Sequence, residues 1–169
     1  MTAPSDWKRA AEAGLTFRRI ADADQPLLTR IYTSTRTEEL APVPWSNAEK
    51  AAFLDMQFRA QHAHYQQYYP DADWLIVTRD GEDIGRLYLE RLPEQHRIID
   101  IAFLPEYRGR GLGAALLRDL LDEAAAACRQ VEIHVEKQNP AMRLYRRLGF
   151  VTEEDKGVYD LMRWQAAAA

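Results

Sequence analysis

The chain has 169 residues, a formal net charge of −4, 47% hydrophobic residues and a single cysteine. That length is ample for one core, so a single domain over residues 1–169 is expected. The charges are mixed, with no basic run and no basic helix face, which argues against nucleic-acid and membrane-surface partners; no apolar run reaches the roughly 18 residues of a membrane span, no signal-peptide core opens the chain, and one cysteine excludes an internal disulfide framework and suits a reducing cytoplasm.

Leu15–Ile20 reads as a first strand, with Leu15, Phe17 and Arg19 alternating against Thr16, Arg18 and Ile20. Asp22 or Asp24 then caps a helix whose first turn carries Pro26 and whose apolar stripe is Leu27, Leu28, Ile31 and Tyr32. Ala41-Pro42-Val43-Pro44-Trp45 is a loop, because the residue before a proline is pushed out of helical dihedrals. Ser46 and Glu49 make a capping box for a longer helix that runs to about Tyr68 and is stopped by Pro70. Leu54, Phe58, Gln61, Tyr65 and Tyr68 share one face of it, either as a core stripe with polar tips or as one wall of a binding pocket. His64 beside them reads as a surface residue.

Trp74–Arg79 and Ile84–Leu92 flank Asp80-Gly81, a strong hairpin signal. Leu87 and Leu89 alternate with Arg86, Tyr88 and Glu90, so one face of the second strand is polar or borders a cleft. Pro93-Glu94-Gln95 turns the chain into Ile98–Leu104, a near-continuous apolar run typical of a strand covered on both faces and ended by Pro105. Asp100 is the single ionisable residue in that run. Burial makes a carboxylate costly unless paired, so it is either one half of an ion pair, with Arg91, Arg97 or Arg108 as candidate partners, or a group raised toward the range of a general base. Glu90, Glu132 and His134 are alternative bases on neighbouring strands.

Arg108-Gly109-Arg110-Gly111-Leu112-Gly113 follows, and then a helix with Leu116, Leu117, Leu120, Leu121, Ala124 and Cys128 on its apolar stripe and Arg118, Asp119, Asp122 and Glu123 on the other side. Cys128 therefore reads as a buried structural thiol. Glycines at such a turn bring backbone N–H groups close to a ligand, and a helix N-terminus favours anions. The turn predicts a phosphate site. It is not a P-loop, because Ala114-Ala115 stand where that motif has Lys-Ser/Thr. Gly109, Gly111 and Ala114 fit the looser dinucleotide fingerprint. That fold, however, places its motif after the first strand, and here Glu132 opens the next strand instead of closing it.

Val131–Val135 is the next strand and should lie parallel to the central one by a right-handed crossover. Asn139 can cap the last helix, with Pro140 in its first position, Ala141, Leu144, Tyr145 and Leu148 inward, and Gly149 past its end. A strand from Val151, a turn through Asp155-Lys156-Gly157, and a strand to Trp164 complete the chain; Ala166–Ala169 should fray. Four scattered histidines show no metal-ligand spacing, so no metal is expected.

Arg108, Gly111 and Gly113 match Gln/Arg-x-x-Gly-x-Gly/Ala, and the block Gln138–Phe150 carries a tyrosine and a terminal Gly-Phe; together, in this order, they resemble the GNAT N-acetyltransferases over roughly residues 72–164. The resemblance implies an α/β fold of the α+β type: a mixed, mostly antiparallel sheet of six to seven strands, about four flanking helices, and splayed parallel fourth and fifth strands. It implies acetyl-CoA as co-substrate, with Arg108, Gly109, Arg110, Gly111, Leu112, Gly113 and Ala114 on the diphosphate. It also implies that Ile101 and Phe103 amides hold the pantetheine arm and that Tyr145 is the proton donor to the thiolate. Asp100 is the candidate base. The glutamate some relatives carry earlier on that strand falls near Arg97 here, and the asparagine many carry seven residues before the tyrosine falls on Gln138, which leaves Asn139 as cofactor contact or simple cap. Phe58, Gln61, Tyr65 and Tyr88 are candidate acceptor-pocket residues. The acceptor itself, a small-molecule or peptide amine, stays open, as does a homodimer. The implied activity is direct attack of a primary amine on the thioester in a ternary complex; a non-catalytic acyl-CoA-binding module on the same fold is the alternative.

Overall fold

A computed structural model describes residues 6–167. The expectations about a leader and about the last two alanines lie outside the described residues. Seven strands form one sheet in the order β1-β2-β3-β4-β5-β7-β6: β1 (Leu15–Arg19), β2 (Asp73–Arg79), β3 (Glu82–Arg91), β4 (Gln95–Phe103), β5 (Gln130–Glu136), β6 (Val151–Asp155) and β7 (Tyr159–Trp164). Every neighbouring pair is antiparallel except β4 and β5. The helices are α1 (Lys8–Glu12), α2 (Gln25–Leu40), α3 (Asn47–Tyr68), α4 (Leu112–Ala126) and α5 (Met142–Leu148).

The sheet separates two cores. Leu75, Val77, Leu87, Leu89, Ile98, Val131, Ile133 and Val135 project to one side, against Leu112, Leu116, Leu117 and Leu120 of α4 and Tyr145 of α5. Ile76 and Tyr88 project to the other, against Leu28 and Tyr32 of α2 and Leu54 and Phe58 of α3. This is the alternation that a strand's two-residue period imposes.

The Ser46–Glu49 capping box forms as the sequence predicts: the Glu49 amide donates to Ser46 Oγ at 3.1 Å and the Ser46 amide to Glu49 Oε1 at 3.4 Å. Asp24, at the N-cap of α2, makes no side-chain cap bond. Its carboxylate instead accepts from the Ala21 amide and from Arg18, both at 2.8 Å.

Two expectations are corrected. Beside the about four flanking helices expected, the described residues hold one short further helix, α1. It has no capping side chain, and what holds it is Trp7 and Ala10 buried against α4. That docking also covers part of the side of α4 expected to be solvated. Asp119 is 6% exposed and accepts from the Ala10 amide at 2.8 Å, and Glu123 accepts from Trp7, Arg91 and His96. Cys128 is exposed, not buried, because the helix ends at Ala126 and Cys128 sits in a left-handed turn at φ 55°.

Candidate active site

The site begins with an interruption of pairing. Strands β4 and β5 pair in parallel from Gln95↔Gln130 to Ile98↔Ile133, and no further. Beyond Ile98, β4 continues for five residues beside β3 alone, and Ile99 to Phe103 are only half-buried where both faces were expected to be covered. The Leu104 amide donates to the Ile84 carbonyl at 2.8 Å, toward β3. Strand N–H groups alternate in direction, so the Phe103 and Ile101 amides turn to the other edge, into the gap that β5 leaves.

A bulge sets what else faces that gap. Tyr88 pairs with Asp100 and Leu89 with Ile98, so Ile99 is the extra residue. The bulge puts Asp100 on the α2–α3 side of the sheet beside Tyr88, while Ile101 and Phe103 return to the α4 side. Asp100 does have an ion-pair partner, although none of the arginines the sequence suggested. Arg86 Nη2 lies 2.5 Å from Asp100 Oδ2 and 3.2 Å from Gln61 Oε1. The Arg86 guanidinium is 5.2 Å from the centre of the Tyr88 ring, and the residue is 2% exposed. The alternation of Arg86 with Leu87 was the signal that could have found it.

Three aromatic residues, Tyr65, Trp74 and Tyr88, converge here. Tyr65 packs edge-on to Tyr88 at 6.2 Å and tilted on Trp74 at 6.3 Å. Burial raises the Tyr65 phenol, and the Asp100 charge adds to it. Burial pushes the Tyr88 phenol up to about 12, with Arg86 opposing. Its hydroxyl, Arg86 Nε and His62 Nδ1 are buried without a hydrogen-bond partner. Phe58 is fully buried between Tyr32 and His62, so it backs the pocket wall from within the core. Gln61 reaches the site through Arg86.

Tyr145 stands on the opposite side of the sheet, edge-on to Phe150 at 5.6 Å and 3% exposed. Burial raises its phenol, and the Asp100 charge raises it further. A phenol held in its proton-bearing form can act as an acid.

At the end of β4 the glycine turn opens α4. Gly111 is the N-cap at φ 77° and Gly109 has φ 72°, both in the left-handed region, and nothing lies within 4 Å of where either Cβ would be. The first helical bond runs from the Ala115 amide to the Gly111 carbonyl at 3.0 Å, so the Leu112, Gly113 and Ala114 amides precede the helical ladder. The Arg108 side chain is tied back, donating to the Phe103 carbonyl at 2.9 Å and to Ser34 Oγ at 3.0 Å. Arg110 lies over the Tyr107 ring. Asn139 Oδ1 accepts from the Ala141 amide at 2.8 Å just ahead of α5, which starts at Met142.

A shallow depression of about 390 Å³, lined by Leu27, Arg30, Glu82 and Tyr107 among others, lies apart from Asp100 and Tyr145. Among the described residues no group of three or more His, Cys, Asp or Glu could hold a metal ion, and no helix is long and apolar enough to cross a membrane.

The model of the acetyltransferase (GNAT) family matches residues 31–150. A mycothiol acetyltransferase of Corynebacterium glutamicum (strain R) is 36% identical over 106 residues, covering 60% of this chain; the chain spans 36% of that relative's length. The N-alpha-acetyltransferase RimI of Mycobacterium tuberculosis is 38% identical over 112 residues, covering 63% of this chain and 61% of the relative. Among solved structures, the PaiA N-acetyltransferase of Thermoplasma acidophilum in complex with coenzyme A superposes with a TM-score of 0.67 over 90% of this chain and 99% of that one, at 17% identity, which shows a shared fold.

Proposed function

The chain belongs to the acetyltransferase (GNAT) family, and from that premise we propose that it is a cytoplasmic, acetyl-CoA-dependent N-acetyltransferase acting on a primary amine of a small molecule or peptide. The observation that carries this reading is the end of β4–β5 pairing at Ile98↔Ile133, with the amides of Ile101 and Phe103 turned into the resulting gap. An extended pantetheine arm, itself an amide chain, fits such an edge. The residues at the far end fit its diphosphate: the Leu112–Ala114 amides head α4, and the open space at Gly109 and Gly111 lets an anion reach them.

Acetyl-CoA supplies the activated acyl group; the chain's own residues orient it and manage protons. An amine of pKa near 10.4 is only about 0.04% neutral at pH 7, a cost of roughly 4–5 kcal/mol, so a group that takes the proton during attack matters. Asp100, at the mouth of the gap on the α2–α3 side, is the candidate for that work, directly or through a water. An amide at Ile101 or Phe103 would stabilise the charge developing on the carbonyl oxygen, a contribution of a few kcal/mol. Tyr145 would return a proton to the departing thiolate from the α4–α5 side. Tyr65 and Tyr88, backed by Phe58 and Gln61, would form the acceptor wall.

Thiol release from acetyl-CoA across a panel of amines tests the reading. Amine-dependent release supports it. Tight coenzyme binding without turnover would favour a non-catalytic acyl-CoA-binding module instead.

A further inference from the structure

We propose that Glu136, the Tyr32 ring and the Tyr159 hydroxyl form a seat for a second positive charge of the acceptor, and that Arg36 fills this seat while no acceptor is bound. The inference rests on the amine-acetyltransferase reading above and names the acceptor class as amines with a further ammonium or guanidinium group a short chain away.

Glu136 is the last residue of β5. Val131, Ile133 and Val135 face the α4 core, so Glu136 projects to the α2–α3 side, the side that carries Asp100. The two acids stand on opposite banks of the gap: Asp100 is two residues past Ile98 and Glu136 three past Ile133, the last paired residues. At a rise of about 3.3 Å per residue, both lie within about 10 Å of the point where the strands part. Both acids therefore flank the same opening on the same side of the sheet.

The seat already holds a cation. Arg36 Nη1 lies 2.6 Å from Glu136 Oε1, the Tyr159 hydroxyl donates to the same oxygen at 3.3 Å, and the guanidinium lies 5.4 Å from the centre of the Tyr32 ring. A carboxylate beside aromatic faces is the chemistry that recognises organic cations. Arg36 fits it imperfectly, because its Nε is buried without a hydrogen-bond partner.

Arg36 also has somewhere to go. Its Nη1 is 3.1 Å from Glu39, one turn along α2, and the Glu39 side chain is 57% exposed against 22% for Glu136. Exchanging Arg36 for an acceptor cation at Glu136 leaves both carboxylates paired, so the half-buried Glu136 is never uncompensated, which is the costly outcome.

The test is calorimetric binding of 1,4-diaminobutane and 1-aminobutane to the full chain saturated with coenzyme A, which lacks the acyl group and permits no turnover. The expected result is at least tenfold tighter binding of the diamine. Glu136→Gln should bring the two amines to within about threefold of each other, and Arg36→Gln should tighten the diamine severalfold, whereas a purely structural Arg36–Glu136 pair would give weaker or unchanged binding. Equal affinities in the unaltered chain, or an equal loss for both amines in Glu136→Gln, would overturn the seat. Because binding is read without turnover, a protein that discriminates yet releases no thiol from acetyl-CoA supports the seat and counts against the transferase. An active protein that binds both amines alike overturns the seat alone.

Discussion

The Arg86 guanidinium holds the Asp100 carboxylate at 2.5 Å from within the sheet, with 3% of the arginine side chain and 18% of the aspartate side chain exposed. Breaking such a pair from one side leaves a buried charge without compensation, at about 3–5 kcal/mol. Asp100→Asn should therefore lower unfolding free energy by about 3 kcal/mol in urea titration and lower turnover. Replacing both partners, Arg86→Met with Asp100→Leu, should recover most of the stability and none of the turnover. Full activity in that double variant would remove Asp100 from the chemistry.

Tyr145→Phe keeps the apolar ring in its place against Phe150 and deletes only the hydroxyl. The variant should unfold at nearly the same denaturant concentration and bind acetyl-CoA with unchanged Kd. Its kcat should fall at least tenfold. An unchanged kcat would exclude the phenol as proton donor.

Gly85 pairs with Phe103, and a Cβ there would stand 2.5 Å from the Ala102 carbonyl oxygen and 2.9 Å from the Phe103 ring. Gly85→Ala must push β3 away from the part of β4 that lines the gap. The expected cost is about 2–3 kcal/mol by analogy with overpacked cores. Acetyl-CoA affinity should drop as well, because the Phe103 amide moves. Unfolding and calorimetric titration measure the two effects separately.

Several elements were legible because their signals are local. The capping box before α3, the Asp-Gly turn between β2 and β3, and the glycine turn before α4 each depend on residues within a few positions of one another. What escaped depends on distant partners. Lys8–Ala13 are good helix formers ahead of Gly14, but a single short turn and a half is held only because Trp7 and Ala10 find α4 more than a hundred residues away. The bulge at Ile99 has no glycine to announce it, yet it decides which side of the sheet Asp100 faces. Arg86 was visible as a polar residue in an alternating strand, but its pairing with Asp100 required the β3–β4 register. Cys128 was misplaced because the apolar spacing ran two residues past the helix's actual end.

At the other end of the sheet, Glu123 links α4 to β3 and β4. Burial alone would raise its carboxyl, but hydrogen bonds from His96 at 2.6 Å and Arg91 at 2.8 Å hold it down at about 2. A depressed folded-state value means that the stabilisation is present above the unfolded value near 4.5 and is lost as pH falls from there toward 2. Thermal unfolding should show Tm dropping across that window, and Glu123→Gln should flatten the drop while lowering Tm at pH 7. An identical acid limb in the variant would assign the loss to other carboxylates.

The central claim is that the coenzyme lies in the gap where β5 leaves β4, with its diphosphate on the amides that open α4. Titration of the 15N-labelled chain with acetyl-CoA, followed by amide chemical shifts, tests it most directly. The largest changes should fall on Ile101, Phe103, Leu112, Gly113 and Ala114, saturating together at one Kd. Saturation that leaves those five amides unmoved while others shift would contradict the account.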